Sequence, residues 1–73
     1  MRLDRFIAER SPDWHELELL VREAGRRPER LGPDRVLRLG GLYRSAAADL
    51  ARLRRQAPRS PETTRLEALV RQG

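Results

Sequence analysis

Seven apolar residues in the middle of the chain are separated alternately by three and four positions. They are Val36, Leu39, Tyr43, Ala46, Leu50, Leu53 and Ala57. This spacing places all seven side chains along one narrow stripe of a single long helix, as in the seam of a coiled coil. A helix with such a stripe has to lie against a partner element. The pattern therefore predicts a function in packing and association, with no reaction implied.

The composition limits the chain to one small domain, which we expect to occupy all of residues 1–73. There is no cysteine, which excludes disulfides and thiolate metal sites. The single histidine, His15, cannot form a metal cluster alone, and no cofactor is expected. No segment approaches the ~18 apolar residues of a membrane span, and the first residues lack the apolar core of a signal peptide. The sequence as it stands predicts a cytoplasmic protein.

Prolines divide the sequence into four predicted helices. The first covers about residues 3–9, and Ser11-Pro12-Asp13 is predicted to cap and start the second, which stops at Gly25. The third is predicted over residues 33–56, and Ser60-Pro61-Glu62 is predicted to start the last by the same chemistry. The expected fold is all-α. It is a small helical bundle in which a long central helix packs antiparallel on a second helix, with short helices at both ends.

The predicted core follows from the apolar faces of these helices. Leu31 is expected to anchor the connection between the second and third helices, and Gly40-Gly41 to allow close approach of a neighbouring helix or a slight bend. The core residues are predicted to be Phe6, Trp14, Leu17, Leu20, Val21, Val36, Leu39, Tyr43, Ala46, Leu50, Leu53, Leu66 and Leu69.

Two charged residues, Arg44 and Asp49, flank this core. A separation of five positions does not favour pairing between them within one helix, so each is expected to form an ion pair with another helix. Arg44 is predicted to meet Glu16 or Glu23.

Charge is unevenly distributed. Residues 1–25 hold four arginines and six acids, whereas residues 26–73 hold twelve arginines and five acids. Such a basic second half favours anionic partners, although it is equally typical of a solvated surface. The arginines form two clusters, one of Arg26, Arg27, Arg30, Arg35 and Arg38, and another of Arg52, Arg54, Arg55 and Arg59.

A small basic helical nucleic-acid-binding or regulatory protein is the alternative that these clusters raise, but the sequence argues against specific nucleic-acid binding. No aromatic residue lies within the clusters for base stacking, and the chain has no asparagine to read base edges. Catalysis is not predicted either. His15 and Glu16 are helix neighbours that point to different faces, and no phosphate loop, activated nucleophile or metal-ligand spacing is present.

Several segments resemble the cytosolic N-terminal region of the stage II sporulation protein M family of integral membrane proteins. They are Leu3-Asp4-Arg5-Phe6-Ile7, Pro12-Asp13-Trp14 with Leu17, Leu42-Tyr43-Arg44, Ala46-Ala47-Ala48-Asp49-Leu50, and Arg65-Leu66 with Leu69-Val70. The resemblance covers nearly the whole chain, but the membrane spans of that family are missing from it.

This resemblance implies a non-catalytic, helical scaffolding or docking module that precedes membrane spans at the inner face of the cell membrane. The namesake of the family works with partners in septal peptidoglycan remodelling during engulfment. A protein partner or self-association through the helices is therefore expected. The residues expected to contact an anionic membrane surface are Arg26, Arg27, Arg30, Arg52, Arg54, Arg55 and Arg59.

Overall fold

A computed structural model describes residues 2–72 as three α-helices and one short 3₁₀ turn, with no strand among them. Helix α1 spans Leu3–Ala24, α2 spans Pro33–Gln56 and α3 spans Pro61–Gln72, and the 3₁₀ turn Pro28–Leu31 joins α1 to α2. The predicted all-α bundle is confirmed. Its longest dimension is 36 Å, the length expected for the 24 residues of α2.

Helices α1 and α2 lie antiparallel, as predicted. Their cross-helix ion pairs show the direction, since Glu23 near the end of α1 binds Arg35 near the start of α2. At the other end, Arg10 binds Asp49. Helix α3 contacts both α1 and α2, so α2 buries a broader face than the predicted stripe. Leu42 lies outside that stripe, yet only 4% of it is exposed.

The predicted division of residues 3–24 into two helices is wrong, because α1 continues through Pro12. Ser11 does not cap a new helix. Its hydroxyl donates to the carbonyl oxygen of Ile7 at 2.6 Å, a bond that residues inside a helix form with the preceding turn. Phe6 and Leu17 lie three turns apart on one face of α1, on either side of the proline. Both are buried in the same core, which favours one continuous helix.

The same Ser-Pro-acid sequence does start α3 as predicted. The backbone N–H of Thr63 donates to the Ser60 hydroxyl oxygen at 3.2 Å, which is the expected capping bond. The Thr63 hydroxyl donates to the carbonyl oxygen of Ala57 at 2.6 Å, and none of this residue is exposed. Thr63 therefore ties the end of α2 to the start of α3, a role that the sequence analysis missed.

One continuous core runs through the bundle. Of the predicted core residues, eight are buried, namely Phe6, Leu17, Leu20, Ala46, Leu50, Leu53, Leu66 and Leu69. Five others are only half-buried against it, namely Trp14, Val21, Val36, Leu39 and Tyr43. Leu31 is buried, as its expected anchoring requires, and Ala24 belongs to the core although it was not predicted there.

Candidate interaction groove

A row of ion pairs runs along one side of the contact between α1 and α2, and we call it the closed side. Asp49 stands at the end of this side that lies farther from the 3₁₀ turn, with its side chain 13% exposed. One carboxylate oxygen of Asp49 accepts hydrogen bonds from the Arg10 guanidinium at 2.8 Å and from the Trp14 indole N–H at 2.9 Å. The bond to Asp49 raises the pKa of Arg10 above its ordinary value, with smaller contributions from Asp13. The expected interhelical contact of Asp49 is therefore present, with Arg10 as the partner.

Two further ion pairs extend this closed side towards the 3₁₀ turn. Arg38 donates two hydrogen bonds to Glu16, both at 2.8 Å, and Arg35 donates two to Glu23. Hydrogen bonding to these guanidinium groups lowers the pKa of both carboxyls. Since Arg38 and Arg35 occupy both acids, the predicted pairing of Arg44 with Glu16 or Glu23 is wrong. Arg44 lies on another side of α2, six positions after Arg38.

The opposite side of the α1 and α2 contact is an open, mostly apolar groove of about 350 Å³. We call it the Tyr43 groove. One wall comes from the end of α1 and the 3₁₀ turn, and the other from the first half of α2. The residues that line it are Val21, Ala24, Gly25, Pro28, Val36, Leu39, Gly40, Tyr43 and Arg44.

The Tyr43 groove lies beyond the described part of α3, which has 12 residues against the 24 of α2. A second hollow, next to the end of α3, is lined by Tyr43 and Ala47 of α2 together with Val70 and Arg71 of α3. Tyr43 thus marks the point where the cover provided by α3 ends. Beyond it the apolar side of α2 continues through residues 36–40, and among the described residues no third helix lies against it.

In the described part of the chain no helix packs against the double glycine of α2. Of the two predicted explanations, the close approach of a neighbouring helix is therefore wrong, and the slight bend stays a prediction. A Cβ built on Gly40 would meet only the end of the Arg44 side chain, at 3.7 Å, and one built on Gly41 would have nothing within 4 Å. Helix α2 is continuous across both residues. Their helix-propensity penalty of about 1 kcal/mol each is therefore not offset by packing against another described helix. Gly40 lines the groove and leaves its wall without a side chain.

The predicted arginine clusters lie at opposite ends of the molecule. Arg26, Arg27 and Arg30 are exposed around the 3₁₀ turn, whereas the second cluster is near the end of α2. In that second cluster, Arg54 binds Glu67 at 3.2 Å, and the guanidinium carbon of Arg52 lies 5.3 Å from the centre of the Phe6 ring. Arg55 and Arg59 are exposed. The fold therefore does not join the two clusters into one basic surface.

A third hollow, of about 230 Å³, lies between α1 and α3, and its rim carries charges of both signs. His15, Glu18, Glu62 and Arg65 stand around it, and Glu18 binds Arg65 at 3.4 Å. Among the described residues, no group of three or more His, Cys, Asp or Glu side chains could hold a metal ion. Within the same residues, no helix is long and apolar enough to cross a membrane.

The fold and the groove together define a small three-helix bundle with an open apolar groove between α1 and α2. Residues 4–73 match a family described as Domain of unknown function (DUF8413), and the chain belongs to that family. Neither a curated protein nor a solved structure matches the chain.

Proposed function

We propose that the chain is a non-catalytic interaction module that docks a helix of a partner protein into the Tyr43 groove. The observation that carries this proposal is the apolar side of α2 that continues past the end of α3. A helix laid along this side would occupy the position that α3 occupies on the other half of the bundle. Helices pack into such grooves through apolar residues at spacings of three, four and seven.

The lining of the groove can supply binding energy. Val21, Val36, Leu39 and Tyr43 are half-buried in the free chain. Completing the burial of each would contribute on the order of 1 kcal/mol. Together these four side chains would contribute about 4 kcal/mol, which corresponds to a Kd of about 1 mM. Part of this gain is lost to the ordering of the partner, so tighter binding requires further apolar contacts from the partner's own side chains.

The resemblance to the stage II sporulation protein M family supports the same proposal. The segments that carry it, Leu42-Tyr43-Arg44 and Ala46 to Leu50, build both sides of α2. Tyr43 and Arg44 line the groove, and Asp49 accepts from Arg10 at one end of the closed side. We propose on this basis that the module is the cytosolic head of a membrane protein of that type and lies at the inner face of the cell membrane.

The nucleic-acid alternative gains no support from the arrangement of the arginines. Arg35, Arg38 and Arg54 each bind a carboxylate, which reduces their availability to phosphates. The clusters stand at opposite ends of a molecule 36 Å long. A single duplex groove or strand would therefore meet only one of them.

The test is an NMR titration of the full chain with a neutral amphipathic peptide of about 15 residues, long enough to form helix when bound. Its leucines are spaced by three and four, and its other face carries glutamine. Chemical-shift changes are expected at Val21, Val36, Leu39 and Tyr43. The exposed residue Leu37, on the solvent side of α2, is expected not to change.

The two glycines provide a matched pair of variants. Gly40→Gln places a side chain in the groove, whereas Gly41→Gln adds the same side chain outside the lining. Both variants should fold, since neither Cβ meets a packed neighbour. We expect Gly40→Gln to weaken peptide binding about tenfold or more, or about 1.4 kcal/mol, and Gly41→Gln to leave it unchanged. Equal binding by the two variants, or shift changes confined to another face, would refute the proposal.

A further inference from the structure

Of the described residues, the single charged one in the lining of the Tyr43 groove is an arginine. Arg44 is part of the lining, and no acidic residue is. Arg26 and Arg27 lie in the chain between Gly25 and Pro28, both of which also line the groove.

At the other end of the groove, Arg71 lines the adjoining hollow together with Tyr43 and with Glu67, which already forms an ion pair within the chain. One further acid, Glu29, lies in the hollow at the 3₁₀ turn. All four of these arginines are exposed. Among the described residues, none of the four forms an ion pair with a carboxylate.

The other openings of the bundle do not share this property. The hollow between α1 and α3 carries Glu18 and Glu62 beside Arg65. The closed side of the α1 and α2 contact consists of ion pairs that are already complete within the chain. In the described part of the chain, the Tyr43 groove therefore combines apolar walls with arginines, in its lining and at its ends, that have no acid partner.

We infer, building on the proposed function, that the partner is an acidic amphipathic helix. Its apolar stripe packs on Val36, Leu39 and Tyr43. Its flanks carry aspartate or glutamate that meet Arg44 in the middle of the groove and the arginines at the two ends. Charge complementarity of this kind selects the partner and speeds its association more than it adds affinity.

A second copy of this chain is a poorer occupant of the groove. A symmetric contact through this face would bring Arg44 and its neighbours of one copy against the same arginines of the other. The formal net charge of +5 adds long-range repulsion to this contact.

The experiment compares three peptides of about 15 residues that share one leucine stripe and differ only at the flanking positions, which are all Glu, all Gln or all Arg. Binding to the full chain is measured by fluorescence anisotropy at low and at physiological salt. We expect the Glu peptide to bind about tenfold more tightly than the Gln peptide at low salt, since several exposed ion pairs act together. The difference should shrink as salt is added, because exposed charge pairs are screened.

Two variants assign the effect to the groove. Arg44→Gln should reduce the preference for the Glu peptide, and Arg59→Gln, at the far end of the bundle, should preserve it. Both residues are exposed and have no carboxylate partner in the described part of the chain, so either variant should fold.

The outcomes separate this inference from the proposed function. If the Glu and Gln peptides bind equally well, and Gly40→Gln abolishes the binding of both, the inference of an acidic partner is overturned while the docking function stands. Binding of no peptide would overturn both. Two further results would assign the groove to another occupant and overturn the inference. One is self-association, measured by sedimentation equilibrium, that Gly40→Gln abolishes. The other is displacement of the Glu peptide by single-stranded DNA at equimolar charge.

Discussion

Replacing Pro12 with alanine is expected to stabilise the protein. Pro12 stands in the middle of α1, where it has no N–H to donate to the carbonyl oxygen of Ala8 and where its ring crowds that oxygen. The ring is exposed, so its removal takes little from the core. Alanine restores the missing helical hydrogen bond and removes the crowding.

The size of the effect follows from the position of the residue in the helix. A proline in a helix interior is about 3 kcal/mol less favourable than alanine. Alanine also gives the unfolded chain more freedom, which opposes the gain by about 0.4–1 kcal/mol. The expected net increase in the free energy of unfolding is about 2–3 kcal/mol. For a domain of this size, it corresponds to a rise in Tm of about 10–20 °C.

Urea denaturation monitored by the fluorescence of Trp14 measures this difference, because the chain has a single tryptophan. Pro33→Ala and Pro61→Ala are the matched controls. Both prolines occupy the first position of a helix, where no N–H is needed, so their replacement should lower stability by less than about 1 kcal/mol. An unchanged or lower midpoint for Pro12→Ala would contradict the reasoning and favour a chain that breaks at Ser11. In the variant, the amide of residue 12 should be protected from hydrogen exchange.

Two further predictions concern Asp49 and the end of the bundle formed by α2 and α3. Asp49→Ala leaves the Trp14 indole N–H and part of the Arg10 guanidinium without their acceptor, so the free energy of unfolding should fall by about 2 kcal/mol in urea denaturation. Asp4→Ala, which removes a fully exposed ion pair, should change it by less than about 0.5 kcal/mol; equal effects would show that Asp49 does not stabilise the contact. If the module lies on a membrane, it should sediment with anionic vesicles and remain in solution with neutral ones. Replacing both Arg55 and Arg59 by glutamine should weaken that binding, since each contributes about 1 kcal/mol near a charged surface. Equal, negligible binding to both kinds of vesicle would refute the membrane proposal.

Helix starts were predictable only where local chemistry alone decides them. Ser60 caps α3 because its hydroxyl is free to accept from the N–H of Thr63, and α2 starts at Pro33 after a turn that needs Gly32 at a φ of 84°. The same Ser-Pro sequence at Ser11 gave a wrong prediction. There the choice depends on Phe6 and Leu17, which a continuous helix buries in one core, and this tertiary gain cannot be deduced from the capping pattern.

The apolar stripe of α2 was predictable, but its division into covered and open halves was not. The periodicity of a helix indicates which side is apolar, whereas the cover on each part depends on the length and position of α3. The predicted partner of Arg44 was wrong for a similar reason. A spacing argument identified the acids on α1, but Arg35 and Arg38 stand on the side of α2 that faces those acids, and Arg44 does not.

Gly40 and Gly41 connect the stability of the free chain with the proposed docking. In an isolated bundle both glycines weaken α2, and alanine at either position would meet no packed neighbour. A residue that lowers stability without an internal reason is typical of a surface selected for contact with another molecule. Of the two, Gly40 lines the groove, and a side chain there would occupy the space that the partner helix needs. If a partner helix docks in the groove, as we propose, Gly40 is the residue that docking favours and helix stability disfavours.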